Sequence, residues 1–121
     1  MAIDKPKVGW QRWLNAMKYS YAGCCSAWKN EAAFREEIIL AIVLIPLALW
    51  LEKTNVERAL LIGSILLVLI VELLNSAIEA VVDLVSPEFH VLAGRAKDMG
   101  SAAVFVSLML ASIIWFFILL L

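Results

Sequence analysis

The stretch "VELLNSAIEAVVD", Val71 to Asp83, continues an apolar run yet carries Glu72, Asn75, Glu79 and Asp83. Their spacing puts all four on one side of a helix. The run that contains them extends from Ala59 to Val85. At 1.5 Å per residue it is roughly 40 Å long, more than the ~30 Å thickness of a bilayer's hydrocarbon. Entering near Ala59, such a helix carries Glu72 to roughly 10 Å short of the far boundary, Glu79 close to it and Asp83 beyond it. Asp83 therefore reads as a solvated helix end. Glu72 does not, because an ionised side chain inside a span costs about 2.5–3.5 kcal/mol on insertion scales. Either it works there as a carboxylate, or it stays protonated and hydrogen-bonds helices together.

The rest of the chain supports a membrane setting. Its 121 residues suffice for one small domain, and 64% of them are hydrophobic; the mean hydropathy is +0.91. Soluble domains are about 45–50% apolar, and a fold this small cannot bury so much grease by itself. Lipid or other subunits must cover it. Two further apolar segments, about 32–51 and 99–121, join the second (about 59–85) in being long enough to span. All three are expected to span, since a helix satisfies its own backbone in lipid. Pro46 is expected to kink the first. The predicted fold is an all-α membrane protein, with an N-terminal region (1–29) and a three-span membrane domain (30–121). The first apolar run follows a charged, aromatic segment, so no cleavable leader is expected.

In the N-terminal region Trp10, Trp13, Leu14, Met17, Tyr21 and Trp28 recur at helical intervals, with Arg12, Asn15 and Lys18 off that stripe. This predicts an amphipathic helix that lies in the membrane interface or packs on the bundle; the two are compatible. Lys5, Lys7, Arg12, Lys18, Lys29 and Arg35 precede or open the first span, and Arg95 and Lys97 precede the third. Lys53 and Arg58 fall in the loop at the opposite side. The positive-inside rule then places the N-terminus in the cytoplasm and the C-terminus outside. With a net charge of −1 and no basic stripe, a nucleic-acid partner is not expected. Adjacent Cys24 and Cys25 form neither a CxxC nor a metal-ligand pair; they read as small, reduced interface residues.

Asn30, Glu31, Arg35 and Glu37 open the first span, and Lys97, Asp98 and Ser101 open the third, all at the depth of Glu72 and Glu79. For Glu36 and Glu37 a simpler reading is complementation of a helix dipole. Ser76, Ala77, Ala80 and 100–103 are small and permit close helix approach. Clustered carboxylates beside an amide suit a hard divalent cation; magnesium takes one or two carboxylates plus water and phosphate oxygens. The segment Ser86 to Asp98, "SPEFHVLAGRAKD", reads as a connection with turn signals at Ser86-Pro87 and Gly94. There is no GxxxxGK[ST] phosphate loop and no protein-kinase signature.

Three blocks, "NEAAFREE" (Asn30 to Glu37), "VELLNSAIEAVVD" and "GRAKDMGSAAV" (Gly94 to Val104), closely resemble the prokaryotic integral-membrane diacylglycerol kinase family. The similarity runs in order from about Arg12 to Trp115. It implies a homotrimer of three-span subunits, each with an N-terminal surface helix, in the bacterial inner membrane. Cytoplasm-facing active sites shared between subunits would phosphorylate diacylglycerol with MgATP, giving phosphatidic acid. By this resemblance Glu72 is the general base and Asn75 a supporting amide. Glu31 and Glu79 would hold Mg2+. Nucleotide contacts would include these two with Arg12, Tyr19, Glu88, Phe89, His90, Lys97 and Asp98. The lipid would meet Ser20, Trp28, Arg35, Glu37, Glu72, Ser101 and Trp115. Asn15 departs from the pattern, standing where a basic residue is expected.

Undecaprenol kinase, a sister activity, offers the same primary alcohol chemistry. From another class, a small proton-coupled transporter also buries a membrane glutamate, but it calls for four spans and no cytoplasmic Lys-Asp pair. A purely structural assembly protein leaves Glu72 unexplained.

Overall fold

The computed structural model describes residues 9–121; Lys5 and Lys7 lie outside the described residues. Four helices follow one another: α1 (Trp10–Asn30), α2 (Ala32–Trp50), α3 (Asn55–Val85) and α4 (Val91–Leu120). No strand occurs among the described residues. α2, α3 and α4 run alternately up and down, with α3 in the middle, packed on both α2 and α4. α3 and α4, with 31 and 30 residues, are each long and apolar enough to cross a membrane. α2 has 19 residues, but Arg35, Glu36 and Glu37 occupy its start, leaving only Ile38 onward continuously apolar. Pro46 stands inside α2, and the helix continues to Trp50.

The buried residues form three matched stripes. On α3 they are Leu61, Ser64, Val68, Glu72 and Asn75, one face at helical spacing. Against them α2 buries Phe34, Ala41 and Ala48, and α4 buries Gly100, Ser107 and Ala111. Most of the facing residues are small, which lets helices approach closely where lipid supplies no hydrophobic push. The large apolar side chains, such as Leu67, Leu74, Phe105 and Phe117, point outward instead. That inversion of a soluble core fits a protein solvated by hydrocarbon.

α1 meets the bundle at its C-terminal part, where Ala27 is buried. Its stripe of Trp10, Trp13, Leu14, Met17, Tyr21 and Trp28 is exposed. The amphipathic helix is thus present as expected, and its aromatic face does not pack on its own bundle. Glu31 breaks the chain between α1 and α2 with an extended backbone, φ −122 and ψ 107.

Helix ends are closed by side chains. Thr54 Oγ1 accepts from the Glu57 N–H at 3.1 Å, while Glu57 Oε1 accepts from the Thr54 N–H at 3.0 Å. This capping box satisfies two orphan donors of α3. At the same end Arg58 Nη2 donates to Leu51 O at 2.9 Å and Lys53 Nζ donates to Ile118 O at 3.0 Å. Lys53 of the far loop and Arg58, which the structure places in the first turn of α3 rather than in the loop, thereby cover carbonyls at the C-terminal ends of α2 and α4.

Two local expectations are corrected. The connection before α4 covers only Ser86 to His90, since His90 Nδ1 accepts from the Leu92 N–H at 3.1 Å and starts the helix there. Gly94, Arg95, Lys97 and Asp98 are therefore helical, not loop. The first turn of α2 carries no acid, so Glu36 and Glu37 sit too far in for dipole complementation, which fades beyond the first turn.

Replacing Thr54 by Ala should lower stability by about 1 kcal/mol, whereas Thr54→Ser should nearly preserve it. Denaturant unfolding in detergent micelles measures this; equal midpoints for Thr54→Ala and wild type would remove the cap's role.

Candidate active site

Glu72 and Asn75 sit at the buried end of the α3 stripe, 4% and 8% exposed. The next two helical steps bring Glu79, half-buried, and Asp83, exposed, onto the same side. Asn75 Nδ2 donates to Glu79 Oε1 at 3.2 Å, so the amide aims that carboxylate. Its other end, Oδ1, is buried without a hydrogen-bond partner. That oxygen packs against Gly100 of α4, where an added Cβ would collide with it. The absence of a side chain at Gly100 is therefore what admits Asn75.

Glu31, at the break between α1 and α2, and Glu79 act on Glu72 by charge repulsion, as Glu72 does on Glu37. Four carboxyl groups from α2, α3 and the α1–α2 break thus lie within electrostatic reach of one another. No cation opposes Glu72 directly among the described residues.

Three openings surround these groups. A cleft of about 660 Å3 lies beneath α1, lined by Ser20, Cys24, Asn30, Glu31, Ser76, Glu79 and Asp83 among others. The Ser76 hydroxyl is buried there without a partner. A smaller recess of about 170 Å3 at the α3–α4 turn is lined by Asp83, Glu88, Phe89, His90 and Lys97. On the other side, Glu37 heads an apolar groove of about 270 Å3 between α2, α3 and α4, with Trp115 also in its wall. Glu37 Oε2 is buried there and unpartnered.

Asp83 lines both the cleft and the recess and binds Lys97 Nζ at 2.6 Å. Sequence reasoning set Asp83 aside by depth alone. Its spacing of four from Glu79 was the signal, and the partner on α4 could not be read from spacing. Lys97 lies close to Glu79 as well as to Asp83.

Other residues implied by the resemblance are placed less centrally. Arg35 Nη1 donates to Trp28 O at 2.7 Å and to Lys29 O at 3.3 Å. Its guanidinium closes the C-terminal end of α1 and fixes the bend at Glu31. Arg12 and Tyr19 stand on exposed parts of α1, and Asp98 and Ser101 on an exposed face of α4; none of these lines the cleft. Phe89 is 91% exposed. Trp115 is remote from Glu72 along the bundle: its Nε1 donates to Leu61 O and Ser64 Oγ, both at 3.2 Å, near the opposite end.

Among the described residues no three His, Cys, Asp or Glu side chains are arranged to hold a metal by themselves. Glu31 and Glu79 do line one cleft. Two carboxylates with room for water and phosphate oxygens suit magnesium, which seldom takes an all-protein cage. The donor set fits that ion.

The family model described as prokaryotic diacylglycerol kinase matches residues 18–119. The chain belongs to the prokaryotic diacylglycerol kinase family. It is 55% identical over 116 residues to a diacylglycerol kinase of Pseudomonas aeruginosa, covering 96% of this chain and 94% of the relative. Against that of Escherichia coli K12 the identity is 51% over 108 residues, covering 89% and 88%. A diacylglycerol kinase of Haemophilus influenzae is 54% identical over 102 residues, covering 84% and 86%. Membership in a family of kinases agrees with the three blocks that carried the resemblance, all of which fall inside the matched residues.

Gly100→Ala in this family member should cost about 1–3 kcal/mol, because Asn75 must leave a packed site. Adding Asn75→Ala should recover part of that loss, a coupling that a double-mutant cycle of thermal unfolding reads directly. Strict additivity would mean that the two residues do not interact.

Proposed function

We propose that this protein is a diacylglycerol kinase, transferring the γ-phosphoryl group of MgATP to the primary hydroxyl of diacylglycerol to give phosphatidic acid and ADP. The observation that carries this reading is Glu72: a carboxylate buried at the polar end of an otherwise apolar helix, within electrostatic reach of Glu31 and Glu79, which line a polar cleft, and of Glu37, which heads an apolar groove. A lipid alcohol held at the headgroup level meets its base there without leaving the membrane.

In this reading Glu72 accepts the hydroxyl proton, and the alcohol oxygen attacks the γ-phosphorus in line as ADP departs. Phosphoryl transfer depends mostly on positioning and charge stabilisation. Asn75 holds Glu79 in place. Glu31 and Glu79 would hold Mg2+, which, when bound, neutralises phosphate charge in a layer otherwise hostile to anions. Lys97 offers a point charge to phosphate, in exchange for its bond to Asp83. Glu88, Phe89 and His90 would border the nucleotide in the recess. Ser20, Trp28, Arg35, Glu37, Ser101 and Trp115 would form the lipid side.

We further read the assembly as a homotrimer of three-span subunits in the bacterial inner membrane, N-terminus and site cytoplasmic, C-terminus outside. Support comes from the exposed apolar faces of α3 and α4 and from the basic residues gathered at the site end. Arg12 and Tyr19 lie outside the cleft of their own chain, a placement that suits service to a neighbour's site.

Radiolabelled phosphate from ATP should appear in diacylglycerol presented in mixed micelles, more readily than in undecaprenol; the reverse preference would overturn the acceptor assignment. ΔpH-driven efflux without ATP consumption in proteoliposomes would overturn the kinase reading altogether. Glu72→Gln should keep helix content and assembly while lowering turnover by roughly 10²–10⁴-fold, the usual worth of a general base. Near-normal rates would remove that base. Glu31→Gln and Glu79→Gln should raise the magnesium concentration required, and an unchanged requirement in both would refute the ligand pair. Mixing the inactive Glu72→Gln and Glu79→Gln chains should regenerate activity if sites are shared, and none if each chain works alone.

A further inference from the structure

Four serines fold back onto the backbone of their own helices. Ser20 and Ser112 donate to the carbonyl four residues before them, Ala16 O and Leu108 O, each at 2.8 Å. Ser64 and Ser107 donate three residues back, to Leu61 O at 2.8 Å and Val104 O at 2.7 Å. This is a common way for a helical hydroxyl to be satisfied. Ser76 departs from it: its Oγ is buried and has no partner among the described residues. A buried hydroxyl left in that state destabilises a fold. Small size does not explain the residue either, since Ala77 and Ala80 line the same cleft without a hydroxyl.

The position of Ser76 gives that hydroxyl a use. It follows Glu72 by four residues and precedes Glu79 by three, so the three side chains are neighbours on one side of α3. Along the helix axis it lies about 6 Å beyond Glu72 and about 4.5 Å short of Glu79. A phosphoryl group that leaves a nucleotide held at Glu79 for an alcohol held at Glu72 travels past Ser76. The cleft it lines is walled by the carboxylates Glu31, Glu79 and Asp83. Three other donors of that wall are already spent. The Ser20 hydroxyl is committed to Ala16 O, the Asn30 amide to Ser26 O at 2.9 Å, and the Glu31 N–H to Ala27 O at 2.8 Å. A divalent cation covers only some oxygens of a triphosphate, and the others call for donors.

We propose that Ser76 is a further catalytic residue, whose hydroxyl donates to a non-bridging oxygen of the γ-phosphoryl group during transfer. The alcohol's proton goes to Glu72, the new O–P bond forms as the bond to ADP breaks, and the serine keeps its own proton throughout. Charge is spread over those oxygens in the transition state, so a donor already fixed in place lowers the barrier. The inference deepens the diacylglycerol kinase reading and rests on it.

The test pairs turnover with thermal stability, because the two should move in opposite directions. Ser76→Ala should lower kcat by about 10²-fold, the lower end for losing one such donor. It should leave the KM for diacylglycerol and the magnesium requirement unchanged. It should also raise the midpoint of thermal unfolding in micelles, since it removes an unsatisfied buried donor. Ser76→Cys, close in size but a weak donor, should lose turnover likewise, and Ser76→Thr, which keeps the hydroxyl, should recover most of it. Wild-type turnover in Ser76→Ala or Ser76→Cys would overturn the proposal. So would a lowered midpoint in Ser76→Ala, or failure of that variant to fold: either means that the hydroxyl holds the helices together. A raised magnesium requirement would sink it as well, because the hydroxyl would then serve the cation. If wild type itself moves no phosphate from ATP to diacylglycerol, it is the kinase reading that fails.

Discussion

The architecture depends on keeping a carboxylate inside a stack of membrane helices. Glu72 and Asn75 occupy the same α3 stripe as Leu61 and Val68, so the face that binds the bundle together is also the face to which the proposed chemistry is assigned. Such a stripe tolerates its polar members only where neighbouring helices leave room and a partner is within reach. Gly100 leaves the room, and Glu79 is the partner for Asn75.

From this constraint the placement of the rest follows. Small residues on α2 and α4 draw the helices together, and bulky ones turn outward to lipid or to other chains. The break at Glu31 lets α1 leave the bundle at the depth of the carboxylates. Arg35 fastens that bend by covering the last carbonyls of α1. One residue thereby secures the roof of the cleft, and its sequence position beside Glu36 and Glu37 gave no hint of that work.

Periodicity and hydropathy made much of the fold legible. The amphipathic α1, the start of α2 and the long α3 are where the pattern put them, and the four polar residues of "VELLNSAIEAVVD" do share a side. What escaped was one helix cap and whatever depends on a partner from another helix. The start of α4 was missed because a histidine side chain, an infrequent cap, opens it eight residues before the apolar run. Asp83 was judged by depth, and only the fold brings Lys97 to it. Gly100 read as a general small residue, while its specific task is to face one amide oxygen. Arg12, Tyr19, Asp98 and Ser101 matched a family pattern and yet stand apart from the cleft; within one chain no spacing rule joins them to it.

The far loop has a bearing on biogenesis. Lys53 reaches a carbonyl of Ile118, a residue synthesised 65 positions later. Until the final helix has emerged and threaded back alongside the others, that ammonium has no carbonyl to settle on. The loop therefore acts as a late fastener, and a chain released before its last helix is complete leaves this end of the bundle unclosed.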